Sequence, residues 1–162
     1  VIWEMGGRVK FVIIGGGSLD GLKRQAWDSG IWHKCYFTGF MAEEELNQFR
    51  RVADCAVFPS LYEPFGIVAL ESFAAKIPVI VSDTGGFPEV VQHGKTGIVT
   101  YAGNPDSIAW GILEVLRYPD YAKQLVENAY ADLDRRFNWA DLAKQTLIVY
   151  HRVLQERQQT IW

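Results

Sequence analysis

The chain has no excess of basic residues. Its 16 lysines and arginines are outnumbered by 19 aspartates and glutamates, for a net charge of −3. No basic field is available for a polyanion, so nucleic acid is not an expected partner. There are only two cysteines, Cys35 and Cys55, and both stand in short apolar runs without metal or redox spacing. They read as reduced core thiols of a cytoplasmic protein. The three histidines are scattered along the sequence, and no metal site is expected. No apolar run approaches the ~18 residues that a membrane span needs, and no signal peptide is visible. Repeats, low-complexity runs and linkers are also lacking. What remains is 49% hydrophobic and 22% charged, an ordinary balance for one globular domain of 162 residues. The chain opens on Val1, in what reads as the tail of a helix, and is expected to be a piece of something larger.

The most informative stretch is Val57 to Phe73. Cys55–Phe58 is a short apolar run suited to a parallel strand buried on both faces, and Pro59 cannot extend a ladder. Pro64 and Gly66 set a bend followed by freedom, and Ile67, Leu70 and Ala74 then recur at helical spacing. The first amides of that helix lack partners and sit at the positive end of its dipole, which makes an anion site without a basic residue. Glu63 lies in the loop. Glu71 lies five residues beyond Gly66, or about 7.5 Å along the axis at about 1.5 Å per residue. A nucleoside diphosphate sugar has parts to match: a diphosphate for the amides of Phe65, Gly66, Ile67 and Val68, a ribose for Glu71, and a reactive anomeric carbon for Glu63. A carboxylate there can stabilise an oxocarbenium-like transition state. The structural alternative is a capped helix carrying two solvated glutamates.

The chain around this stretch alternates strands and helices. Phe11–Ile14 reads as a strand, Leu19–Ser29 as a helix, Lys34–Phe37 as a strand and Ala42–Val52 as a helix. Asp54–Phe58 and Ile77–Val81 follow as strands, Phe87–Gln92 as a short helix and Ile98–Thr100 as a strand. Helices over Ser107–Arg117, Pro119–Arg136 and Trp139–Gln158 close the chain, with Asn104 or Asp106 and Asn138 as caps. The pattern predicts an α/β domain with a doubly wound, Rossmann-like parallel sheet, helices on both faces and a helical C-terminus.

Two nucleotide motifs fail on spacing. A dinucleotide fingerprint counted from Gly15 needs glycine where Asp20 stands. Gly94-Lys95-Thr96 would need glycine where Glu89 stands and a helix where a strand follows, so it reads as a turn. Gly16 and Gly17 in the first turn let a backbone come close to a ligand, or simply make a tight turn. Gly85 and Gly86 offer close amides before a helix. Phe40 and Met41 are bulky residues in a loop, where they can meet a base or cap the core. Trp110, Tyr118 and Tyr130 read as packing.

Glu63-Pro64-Phe65-Gly66-Ile67-Val68-Ala69-Leu70-Glu71 resembles the E-x7-E signature of retaining GT-B glycosyltransferases of family 4, with Pro59-Ser60 before it. The resemblance extends over nearly all of residues 1–162 and to Phe137-Asn138-Trp139 before the last helix. It implies a single donor-nucleotide-binding domain, with Glu63 catalytic. The implied nucleotide-sugar contacts are Phe65, Gly66, Ile67, Val68, Glu71, Phe40, Met41, Gly16, Gly17, Gly85 and Gly86. The reaction implied is transfer of a hexose-like unit from a UDP-, GDP- or ADP-sugar to an acceptor hydroxyl with retention of configuration, requiring no cofactor or metal. In the family, the acceptor is read by an N-terminal domain, onto which the last helix crosses back, and a parent protein can work at the membrane periphery. Here that domain is absent, as are the family's opening strand and its diphosphate-clamping arginine and lysine, since Gly7-Arg8-Val9-Lys10 does not match. In the family's strand order the absent strand is central, so the sheet must close up or be filled. Weak nucleotide binding and little transfer are expected of this chain alone. The alternatives are a non-catalytic nucleotide-sugar-binding subunit that needs a partner chain, and an epimerase of the same architecture.

Overall fold

A computed structural model describes residues 1–159, so the last three residues of the expected 1–162 domain lie outside the described residues. The order is β1 (Phe11–Ile14), α1 (Asp20–Asp28), a 3-10 turn (Trp32–Lys34), β2 (Cys35–Gly39), α2 (Glu43–Arg50), β3 (Ala56–Phe58), α3 (Ile67–Ala74), β4 (Val79–Ser82), α4 (Phe87–Val90) and β5 (Ile98–Thr100). Helices α5 (Pro105–Arg117), α6 (Pro119–Arg136) and α7 (Trp139–Gln159) close it. Val1–Gly7 forms successive turns and not the tail of a helix; the Met5 N–H reaches the Val1 carbonyl and the Gly7 N–H the Ile2 carbonyl.

All ladders are parallel, and the fold is α/β with helices on both faces, as the alternating pattern predicts. The single sheet, however, is replaced by two. β1 pairs with β2, Phe11 opposite Cys35, and a register shift after Ile13 sets Ile14 opposite Gly39. β3, β4 and β5 form the other sheet, Val57 opposite Ile80 and Ile80 opposite Ile98. Among the described residues the gap between β1 and β3 is neither closed nor filled. The consequence shows in burial. Strand β4 is buried throughout, whereas every residue of β1 and β3 is only half-buried, although their runs of apolar residues suit full burial.

The core belongs to the second sheet. Val79 and Val81 point to one face, where they meet Ala69 and Phe73 of α3 and Phe87 and Val90 of α4. Ile80 points to the other, with Val115 of α5 and Ala122 and Leu125 of α6. Helix α6 serves both faces, since its Ala129 joins the first cluster. Gly111 brings α5 close; a side chain there would stand 2.9 Å from Thr100 and 3.1 Å from Ile80.

Element ends follow local chemistry. Asn104 caps α5 by accepting the Ser107 N–H at 3.0 Å, and Asn138 caps α7 through the Ala140 N–H at 2.8 Å. α3 ends in a Schellman motif: the Ile77 N–H reaches the Ser72 carbonyl and the Lys76 N–H the Phe73 carbonyl, with Lys76 at φ 59°. That motif uses the Ile77 amide, and Pro78 has none, so β4 begins at Val79 and not at Ile77. His93–Gly97 is a turn, closed by the Gly94 N–H on the Gly97 carbonyl, and it leads into β5.

Several other residues depart from expectation. Cys35 and Cys55 are free, half-buried thiols; Cys55 packs against the Ile80 cluster, whereas Cys35 joins neither core cluster. Burial raises the pKa of Cys35, and burial together with the negative charge of Asp54 pushes that of Cys55 up to about 11. Trp110 stacks on His93 and Tyr130 lies beneath the Lys76 ammonium, yet both rings, like Tyr118, remain about half exposed. Leu147, Tyr150 and Leu154 of α7 are exposed as well. No helix among the described residues is long and apolar enough to cross a membrane.

Candidate functional site

The loop after β3 is seated on the loop after β4. The Ser82 hydroxyl donates to the Ser60 carbonyl at 2.6 Å, the Thr84 hydroxyl to the Leu61 carbonyl at 3.2 Å, and the Gly86 N–H to the Glu63 carbonyl at 2.9 Å. The glycines make this approach possible. A side chain on Gly85, whose φ is 53°, would stand 1.7 Å from the Glu63 carbonyl oxygen, and one on Gly86 would stand 2.5 Å from that of Phe65. The predicted residues Glu63, Phe65, Gly66, Gly85 and Gly86 are thus brought together, at the carboxyl ends of parallel strands. Ligands of open α/β sheets collect at such ends.

Gly66 starts α3 in the left-handed region, at φ 94°. Its N–H does not stay open to an outside anion, because the Glu63 Oε1 accepts it at 2.9 Å. The Phe65, Ile67 and Val68 amides have no acceptor among the described residues. Glu63 therefore places a carboxylate at the positive end of a helix dipole, beside amides that can receive another anion. Its backbone is fixed from one side by Gly86 and its side chain from the other by Gly66.

Glu71 sits on the same helix, half-buried. The buried Arg50 of α2 donates through Nη2 to its Oε2 and through Nη1 to the Asn47 Oδ1 at 2.8 Å. Sequence reasoning gave Arg50 no role. Its only signal is a basic residue in the last turn of the helix before the glutamate loop, and nothing in the spacing pairs it with a residue 21 positions on.

The remaining predicted residues gather at the ends of β1 and β2. The Gly15 N–H donates to the Gly39 carbonyl at 2.9 Å, which joins the Gly15–Ser18 turn to the Phe40–Met41 loop. Gly16 and Gly17 are exposed and Met41 is half-buried. Phe40 is 83% exposed and so does not cap the core. Arg8 donates to the Met5 carbonyl at 3.3 Å, and the Lys10 ammonium lies 5.5 Å from the Tyr36 ring centre; neither takes part in the loops just described. Among the described residues, no three His, Cys, Asp or Glu side chains converge as a metal site.

The chain is 44% identical over 142 residues to an uncharacterised glycosyltransferase of Methanocaldococcus jannaschii, covering 87% of this chain and 36% of that one. It is 36% identical to the glycogen synthase of Mycobacterium tuberculosis over 131 residues, 81% of this chain and 32% of that one. Among solved structures it resembles the sucrose-phosphate synthase of Thermosynechococcus elongatus, 27% identical with a TM-score of 0.79 over 90% of this chain and 38% of that one. It also resembles Anabaena HepE in complex with UDP-glucose, 26% identical with a TM-score of 0.80 over 90% and 41%. The chain spans about a third of the length of the curated relatives it matches. Residues 2–132, and with them both glutamates and the glycine loops, match the glycosyl transferases group 1, and the chain belongs to that family.

Proposed function

We propose that this chain is the donor-binding half of a retaining glycosyltransferase, which moves a hexose-like unit from a nucleoside diphosphate sugar to an acceptor hydroxyl. The observation that carries the reading is the seating of the Glu63 loop on Gly85–Gly86. It holds one carboxylate at the amino end of α3 while Glu71 stands further along the same helix. The Phe65, Ile67 and Val68 amides take the diphosphate, Glu71 accepts from the ribose, and Glu63 faces the sugar as nucleophile or electrostatic stabiliser. Phe40, Met41, Gly16 and Gly17 flank the nucleotide from the other sheet. No metal or cofactor is needed, and the acceptor is bound by the rest of a parent protein that works in the cytoplasm. The solved complex of HepE with UDP-glucose favours a UDP-sugar as donor.

The test is calorimetric titration of the chain with UDP, GDP and ADP, without metal and then with Mg²⁺. Metal-independent binding of one of them, weakened by Glu71→Ala and spared by Glu63→Gln, supports the reading. Loss of binding in both variants to the same degree refutes the division of roles. In the intact parent, Glu63→Gln should abolish transfer. A second reading, a nucleotide-sugar-binding subunit without transferase activity of its own, is favoured by one observation: Arg8 donates to the Met5 carbonyl and Lys10 lies over the Tyr36 ring, so neither stands at the loops to offset charge on a departing diphosphate. Sugar transfer by the isolated chain would exclude it.

A further inference from the structure

Among the described residues, Arg50 is the one strongly buried cation that touches the proposed donor site. Its side chain is 9% exposed, yet its partner Glu71 is 40% exposed. Arg50 binds only one of the two Glu71 oxygens, Oε2, and its other Nη is fixed on Asn47. Oε1 has no partner among the described residues. A guanidinium is a planar fork, so two of its N–H groups engaged on different acceptors define the plane and tilt of the carboxylate it holds. A glutamate on a helix surface otherwise samples several rotamers, and freezing it costs entropy at the moment of binding.

We propose that Arg50 is a positioning residue. It holds Glu71 in one rotamer with Oε1 turned outward to accept from a pair of adjacent hydroxyls, and so sets the preference of the site for ribonucleotides over nucleotides that lack them. The proposal rests on the donor-site reading given above. It extends that reading by naming what makes Glu71 selective and which feature of the ligand it selects. Arg50 itself touches no ligand.

The experiment measures affinities of the 162-residue chain for UDP, GDP and ADP and, for whichever binds best, for its 2′,3′-dideoxy counterpart. Hydrogen bonds to a carboxylate predict a preference of about 10- to 100-fold for the ribose form. In Arg50→Met the preference should fall below about fivefold, while affinity for the dideoxy form moves less than about twofold. Arg50→Lys should restore part of it. In a Glu71→Ala background, Arg50→Met should change affinity for neither form, because a residue that acts through Glu71 has nothing left to act on.

A merely structural Arg50 would weaken both forms alike and leave their ratio intact, and that result overturns the proposal. Should Arg50→Met not fold, as circular dichroism would show, the exposed Asn47→Ala carries the test by releasing the second arm of the fork. A drop of about two- to threefold in the preference supports the proposal, and an unchanged preference refutes it. The two readings fail differently. Absence of any nucleotide binding, or a preference indifferent to Glu71→Ala, refutes the donor-site assignment and this inference with it. A preference that collapses in Glu71→Ala but survives in Arg50→Met refutes this inference alone.

Discussion

Gly85→Ala tests the interlock on which the site depends. The added methyl would stand 1.7 Å from the Glu63 carbonyl oxygen and 2.7 Å from its carbonyl carbon. Non-bonded carbon contacts settle at about 3.5–4.0 Å, so the two backbones must part by more than about 1 Å. That separation breaks the 2.9 Å bond from the Gly86 N–H to the Glu63 carbonyl, at a cost of about 1 kcal/mol. A side chain at φ 53° adds roughly 1 kcal/mol of backbone strain, and forcing atoms into a packed contact adds about 1–3 kcal/mol. The total of roughly 3–5 kcal/mol corresponds to a fall in melting temperature of about 10 °C in a domain of this size. The assay is thermal unfolding followed by circular dichroism, with nucleotide titration of the folded fraction. Gly21→Ala is the control, because a methyl there meets nothing within 4 Å, its backbone is not in the left-handed region and it stands outside the proposed site. A Gly85→Ala chain that melts within about 2 °C of wild type would refute the seating of one loop on the other.

Two other predictions concern the frame. Asp132 is buried, which alone would raise its pKa, but the guanidinium groups of Arg135 and Arg136, at 2.7 and 2.8 Å, outweigh burial and lower it. A carboxylate depressed in the folded state contributes stability that is full above its unfolded value near ~3.9 and is lost as pH falls through the folded value. Asp132→Asn should therefore cost about 1–2 kcal/mol at pH 7, and urea midpoints of variant and wild type should converge as the pH drops below about 4; a constant gap would contradict the pairing. Hydrogen exchange should show β4 protected up to the global limit and β1 and β2 opening much sooner, since β4 is wholly buried and, among the described residues, both core clusters belong to the second sheet. Uniform protection across the two sheets would show that they open as one unit.

The sequence revealed most of the elements because their signals are local. Apolar β-branched runs, Asn104 and Asn138 before helices, and prolines at strand ends act within a few residues. The errors come from contacts that act at a distance. Ile77 reads as strand until the Schellman motif takes its amide, and that motif uses a lysine where glycine would have announced it. The Gly66 amide reads as an open donor, since no spacing rule says that Glu63 turns back onto it. Cys55–Phe58 reads as a strand buried on both faces, yet β3, like β1, is only half-buried; what would cover them further is not a property of their own sequence. Both glutamates were legible from their spacing and the Pro-Phe-Gly between them. Arg50 was not, because the pairing joins α2 to α3 across two different sheets.

That crossing bears on what the Arg50–Glu71 pair is for. It ties an element following β2 to the helix following β3, as the Glu4–Arg117 pair ties the amino terminus to α5. As a fastening the Glu4–Arg117 pair is weak: with both side chains exposed it contributes about 1 kcal/mol or less, because water screens the charges, whereas Arg50 is buried and depends on Glu71 to compensate its charge. The second sheet owes nothing to it, having its own two-sided core of Phe73, Phe87, Ile80 and Leu125. The buried arginine engages one oxygen of a half-exposed carboxylate, an arrangement suited to giving Glu71 a direction. The glycine turn and Phe40 are carried by the half-buried first sheet and the glutamates by the packed second one, so a ligand spanning both would meet one well-packed side and one less packed side.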